Sequence, residues 1–285
     1  NDPDDLITSV TYVKAPEFVS MIETLIGKKT FARALNVYFS RYKHSNASSW
    51  QWIEVMEEVS GKELKEMART WLKQTQFPVV HMSSAYDEKD RTFTLSLEQE
   101  IPEGAKFWEF PFCAALADEE GNDLAEVMEP VKGREKKIVF NDVDKPAFLS
   151  LNRGYSFFGK VVHDADIDEL VLQVRKDKDL INRFIAFYKI VDMEKMKLIG
   201  NADSVSSEQF TGLYHELIRD HELMSEAGAQ FLAIFESVED EKLAHRYQLL
   251  YEVKQKLHKA VASRHEDSLV SLYRLYNDRK ECKDT

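Results

Sequence analysis

The spacing of apolar residues changes twice along this chain, and nothing else in the sequence constrains its fold as strongly. Up to Gln76 they recur at helical intervals, from Phe77-Pro78 they alternate, and from Asp164 onward helical spacing returns. Proline disfavours helical backbone at the residue before it, which gives the first switch a physical cause at Phe77. A surface with a period of 3.6 and one with a period of 2 cannot line the same face of one regular element. The chain therefore reads as an α+β multidomain protein: a helical block at 1–76, a β-sandwich at 77–158 and a helical domain at 159–285. At 285 residues it is long enough for two or three cores, and the helical and sandwich cores are expected to be separate, with Gln76 at the boundary.

In the first block the spacing predicts helices over Ala15–Ile26 and Lys28–Tyr42, with Gly27 stopping the first. The second should carry Phe31, Leu35, Tyr38 and Phe39 on one stripe. Ser48 with Gln51 three residues on is a capping-box start, for a helix that Gly61 ends. Leu64, Met67, Ala68, Trp71 and Leu72 make a fourth. In the sandwich, Arg91–Gln99 alternates cleanly, and further strands are expected at Phe110–Ala117, Ala125–Val131, Lys136–Phe140 and Ala147–Asn152. Strands this short with no helices between them point to an antiparallel sandwich. The last block predicts helices around Leu170–Val174, Asp179–Val191, Phe210–Leu217, Ala227–Phe235, Glu241–Val261 and Ser268–Tyr276, with Ser206 and Gln209 as a second capping box. Consecutive helices joined by short polar links suggest a solenoid-like stack.

The stretch Thr11-Tyr12-Val13-Lys14-Ala15-Pro16-Glu17 is the candidate functional feature. It sets a tyrosine at the entry of the first helix, and by spacing alone that tyrosine is a packed helix-entry residue. The stretch resembles the Tyr-Glu-Lys-Gly-Ala-Glu-Val segment of zinc aminopeptidases of the aminopeptidase N (M1) family. Gly27, Phe31, Tyr38-Phe39, Trp71-Leu72-Lys73-Gln74 and Pro78-Val79-Val80 extend the resemblance in order. It implies the closing helices of a thermolysin-like catalytic domain, then the sandwich, then the first part of the helical C-terminal domain. It also implies that Tyr12 is the family's tyrosine, whose hydroxyl holds the tetrahedral intermediate of peptide hydrolysis. Four positions depart from the pattern: Val13 replaces an acidic residue, Ala15-Pro16 a Gly-Ala pair, and Gln76 a glycine. The last removes a residue that tolerates positive φ where a helix ends.

The rest of the family's machinery is not in this sequence. HExxH, which sets two histidines one turn apart on a helix, does not occur, nor does the amine-binding Gly-Ala-Met-Glu-Asn motif. His215 and His221 lie about 240° apart around a regular helix and cannot share a metal. His258 and His265 share a face and read as surface histidines. No metal ligand is therefore assigned; zinc belongs to the parent enzyme, and this chain reads as an inactive portion of it, starting at Asn1 without an initiator methionine. The Asn141–Asp144 cluster is a turn, with weak calcium binding as the alternative, and Asp118-Glu119-Glu120 is a solvated turn. Tyr155, Phe157 and Phe158 are expected to pack the sandwich against the helices.

A net charge of −12 excludes a phosphate-binding surface as the main role, so no nucleic acid is expected. Lys195 and Lys197 read as a solvated helix face. No apolar run spans a membrane. Cys113 and Cys282 form no disulfide framework, which suggests a cytoplasmic protein. Expected partners are a peptide substrate, through the parent enzyme, and the rest of the catalytic domain, on which the first helices should pack. The competing reading is a non-enzymatic scaffold that presents a sandwich and a helical stack to protein partners.

Overall fold

The first helix, α1 (Ala15–Ile26), takes its start from Pro16 in its opening turn, where the missing N–H costs nothing and the fixed φ is already helical. Phe18, Met21, Ile22, Leu25 and Ile26 then fall on one buried face. Gly27 ends it at φ 83°, its N–H donating to the Glu23 carbonyl at 2.8 Å. Helix α2 (Lys28–Tyr42) departs from expectation. Of its apolar stripe only Phe31 and Leu35 pack partly on the core, and Phe39 is 63% exposed. The capping box at Ser48 is complete: Ser48 Oγ accepts from the Gln51 N–H, and Gln51 Oε1 accepts from the Ser48 N–H at 2.8 Å. It opens α3 (Ser49–Ser60), and α4 (Lys65–Lys73) follows with Met67, Ala68 and Trp71 buried.

The computed structural model describes residues 10–201, 204–228, 231–232 and 245–281. Seven strands form the sandwich: β1 (Val79–Asp87), β2 (Thr92–Glu100), β3 (Phe110–Ala117), β4 (Asp123–Val131), β5 (Glu135–Phe140), β6 (Phe148–Leu151) and β7 (Lys160–His163). One sheet runs β5-β2-β1-β7 and the other β4-β3-β6. Pairing is antiparallel except between β1 and β7, which run parallel with Val79 opposite Lys160. The sheet thus extends past residue 158, where the sequence reading ended the sandwich. Four residues without a clear alternation gave β7 no signal of its own; its register is supplied by β1.

A larger correction concerns the core. Phe18, Met21, Ile22, Ile53, Met56, Met67 and Trp71 from the helices belong to one hydrophobic cluster with Val80, Leu95, Phe110, Phe112 and Phe157 from the sandwich. The two cores are not separate, and the change of period at Phe77-Pro78 is a change of secondary structure inside one packed body. Phe157 is fully buried and stacks on Phe110 with ring centroids 4.3 Å apart. Each such side chain contributes about 1.5–3 kcal/mol on burial. By contacts the chain divides into two units, residues 1–166 with 176–182, and residues 167–175 with 183–285.

In the first unit, Ser150 Oγ donates to Asp177 at 2.9 Å while accepting from Asn182 and Arg153, and Arg153 makes a two-pronged pair with Asp123. Arg91 occupies the carboxylates of Asp142 and Asp144, at 3.0 and 2.8 Å, so the calcium alternative loses two of its ligands to a guanidinium. Asp118 caps its own turn, accepting from the Glu120 and Asn122 N–H groups.

The second unit holds most of α5 (Ile167–Lys176) and α6 (Leu180–Gly200), with α7 (Glu208–Arg219), α8 (His221–Glu226) and α9 (Tyr247–Glu281), among the described residues. Phe187 of α6 stacks against Phe210 and Phe231. The cap of α7 is Ser207 rather than Ser206: Ser207 Oγ accepts from the Phe210 N–H, while Ser206 lies buried and donates to Glu194. Lys195 is buried, 2% exposed, contrary to the solvated face expected, with its ammonium 3.8 Å from Asp192. The two last helices predicted are one, irregular only at His265 (φ −126°). His265 is half-buried where a surface histidine was expected, and it stacks face to face on His215 at 4.2 Å. Much of the helix expected at Ala227–Phe235, the start of the one expected at Glu241, and Cys282 lie outside the described residues.

Candidate functional site

Tyr12 stands in a single π-helical turn, Val10–Lys14, that runs straight into α1. Such turns are rare, and they concentrate at functional sites because the widened backbone re-aims the side chains it carries. Tyr12 is 68% exposed and Val13 49%. On spacing Tyr12 read as a packed helix-entry residue; the structure instead turns it toward solvent.

What holds the turn is Lys14, two residues on. Its ammonium donates to the carbonyl of Gln74 at 3.0 Å and to that of Gln76 at 2.9 Å, and lies 5.8 Å from the centre of the Trp71 ring. Burial of this group pushes its pKa below the ordinary lysine value. Both carbonyls sit at the C-terminal end of α4, where the helix dipole is negative and favours a cation. The acceptors are themselves fixed. The Gln74 amide pairs with the main chain of Lys106 through two hydrogen bonds of 2.9 Å, and Trp71 Nε1 donates to the Glu109 carbonyl. Gln76 adopts φ 70°, the left-handed conformation for which the resembled family uses glycine.

On the neighbouring side of α1, burial raises the pKa of the Glu17 carboxyl. Tyr155 is also raised, chiefly by its own burial and then by the negative charge of Glu17. Tyr155 and Phe77 both pack edge-on against Phe158, so the chain just before Pro78 is tied to the end of the sandwich.

Sequence reasoning singled out Tyr12 and gave Lys14 no role. The available signal was a lysine just ahead of a proline-started helix, which cannot be told from a solvated lysine without knowing which carbonyls the next domain brings near. Among the described residues no group of three or more His, Cys, Asp or Glu side chains is arranged to hold a metal. These residues therefore do not fit a zinc site, and His215 is taken up by Ser268 and His265. No helix among the described residues is long and apolar enough to cross a membrane.

Fold and site together define a three-part chain: helices that carry an exposed tyrosine on a clamped turn, a seven-stranded sandwich, and a helical domain. Residues 1–71 match the peptidase family M1 domain, 77–164 a domain of unknown function with an Ig-like fold (DUF3458), and 167–284 its companion of ARM repeats (DUF3458_C). The chain is 24% identical over 182 residues to puromycin-sensitive aminopeptidase of Caenorhabditis elegans, covering 62% of this chain and 19% of that protein. It is 29% identical over 123 residues to aminopeptidase N of Escherichia coli K12, covering 41% of this chain and 14% of the relative. The fold superposes on the crystal structure of Legionella pneumophila aminopeptidase A in complex with aspartic acid with a TM-score of 0.79 and 22% identity, over 94% of this chain and 31% of that one. The chain is the counterpart of a C-terminal portion of an M1 aminopeptidase, and M1 aminopeptidases are zinc metalloenzymes. It spans less than a fifth of the length of either relative.

Proposed function

We propose that this chain serves an M1-type zinc aminopeptidase that removes N-terminal amino acids from peptides, and that Tyr12 is its contribution to the chemistry. A phenolic hydroxyl is a hydrogen-bond donor at neutral pH. Aimed at the carbonyl oxygen of the scissile peptide, it stabilises the negative charge that builds there as the tetrahedral intermediate forms. That interaction strengthens only as the charge develops, so it lowers the barrier without tightening substrate binding. The observation that supports this role is the exposed tyrosine on a π-turn whose backbone is clamped from behind by Lys14. The chain alone supplies no metal ligands and is expected to be inactive by itself. Its exposed Phe39, Val19 and Leu72 are proposed to pack on the rest of the catalytic domain. With only two cysteines in 285 residues, we place the protein in the cytoplasm.

The test is Tyr12→Phe in the whole enzyme. Losing one oxyanion donor costs about 10²–10³ in turnover, so kcat should fall by about a hundredfold while KM and zinc content stay near wild type. Wild-type kcat in Tyr12→Phe would remove the catalytic assignment.

A further inference from the structure

We infer that Lys14 is a positioning residue for Tyr12: its half-buried ammonium, held by the Gln74 and Gln76 carbonyls, sets the direction in which the tyrosine leaves the π-turn. The inference rests on the role proposed for Tyr12, but the clamp itself is a property of this chain alone.

Residues two apart on a helical turn point to roughly opposite sides. Fixing Lys14 against the body of the protein therefore drives Tyr12 outward, and the two burial states agree. Lys14 is half-buried with two carbonyl partners, and Tyr12 is exposed. Among the described side chains of the π-turn, only Lys14 has a partner outside it. Val13 is exposed, and from Tyr12 on the first residue to enter the core is Phe18, more than a turn further on. Without the lysine, no described side chain of the turn anchors it to the body of the protein.

The chemistry of the clamp calls for an ammonium. Three donors on one small head can meet two carbonyls while the charge faces the Trp71 ring. The left-handed Gln76 gains an explanation here, because its conformation accompanies a carbonyl turned back to Lys14 rather than out to water. The clamp also spans 60 and 62 positions of sequence. It couples the tyrosine to the end of α4 and, through Gln74 and Trp71, to the loop that follows β2.

Two measurements test this, one of them independent of catalysis. Hydrogen exchange on this chain should show amides from Val13 to Phe18 exchanging about tenfold faster in Lys14→Met, with α3 and α4 unchanged, because local opening is set by local contacts. Unchanged exchange overturns the clamp, and so does a uniform rise across all four helices, which would mean a general loss of stability. In the whole enzyme, Lys14→Met should lower kcat by about tenfold or more at near-constant KM, since misplacing a catalytic group by about 1 Å can cost about a hundredfold. Adding Tyr12→Phe to Lys14→Met should then cost much less than it does alone, as expected of two residues acting as a unit. Lys14→Arg, which still offers donors to both carbonyls, should recover part of the loss. Wild-type kcat in Lys14→Met beside a Tyr12→Phe enzyme that has lost its turnover overturns the positioning role. Wild-type kcat in Tyr12→Phe sinks the proposed function instead, and the exchange experiment then decides whether the clamp stands.

Discussion

Substituting Gly121 by alanine probes how firmly the segment after α5 is seated on the sandwich. Gly121 is buried at φ 84° in the turn between β3 and β4, its N–H donating to the Asp118 carbonyl. A Cβ there would fall well inside contact with the Lys176 carbonyl oxygen, and within 3.1 and 3.2 Å of the Lys176 Cβ and carbonyl carbon. That carbonyl has little freedom to retreat. Directly after it, Asp177 is bonded to Ser150, Lys178 to Asp123, and Asp179 to the Gly154 N–H. Left-handed backbone costs an alanine about 1–2 kcal/mol. Overpacking adds about 1–3 kcal/mol. The stiffer unfolded chain returns about 0.4–1 kcal/mol. The balance is a loss of about 1–4.6 kcal/mol, near 3 in the middle of these ranges. All four tryptophans (Trp50, Trp52, Trp71 and Trp108) lie in the unit that contains this turn, so denaturant unfolding followed by their fluorescence reads that unit. Gly104→Ala is the control. Its φ is also positive, at 76°, but no atom lies within 4 Å of its Cβ, so only the backbone cost of about 1 kcal/mol applies. If the two variants lose the same stability, the Lys176 carbonyl is not pinned and the reasoning fails.

Gln76→Gly should stabilise the protein by up to about 1 kcal/mol, the left-handed cost of glutamine less the larger unfolded freedom of glycine. Both bonds of Lys14 go to main-chain carbonyls and survive the change, so a lowered unfolding midpoint would argue against strain at Gln76. His215 gives a pH dependence. Burial, then its neighbours His265 and Arg219, hold its imidazole below the ordinary value, with Glu216 opposing. The unfolded imidazole takes up its proton near pH 6.5, before the folded one does. The protein should therefore lose stability as pH falls below about 6.5 and until the folded group titrates, a window above that of most carboxylates. His215→Gln, which can still reach Ser268, should flatten this slope, and an unchanged slope between pH 7 and 5.5 would refute the assignment.

Where the sequence carried a local physical signal, the structure follows it. Pro16 and Gly27 bracket α1, Ser48 and Gln51 cap α3, and the alternation of Phe93, Leu95 and Leu97 marks the buried face of β2. Each of these is settled within a few residues, by backbone sterics or by which face meets water. Tyr12 was singled out differently, by its place in an ordered series of motif residues, and its spacing did not foresee its exposure. Tertiary structure decided the rest. That the first helices and the sandwich share a core could not be read from a change of period, because a period reports the element and not what it packs against. Strand β7 exists because β1 offers it an edge. Lys195 is buried although its spacing marks it for water, His265 is stacked on His215 fifty residues away, and Phe39 is left exposed although its spacing marks it for a core. Lys14 is the sharpest case. In sequence it is a lysine before a helix, and its role comes from two carbonyls about sixty residues away that only the folded chain brings to it.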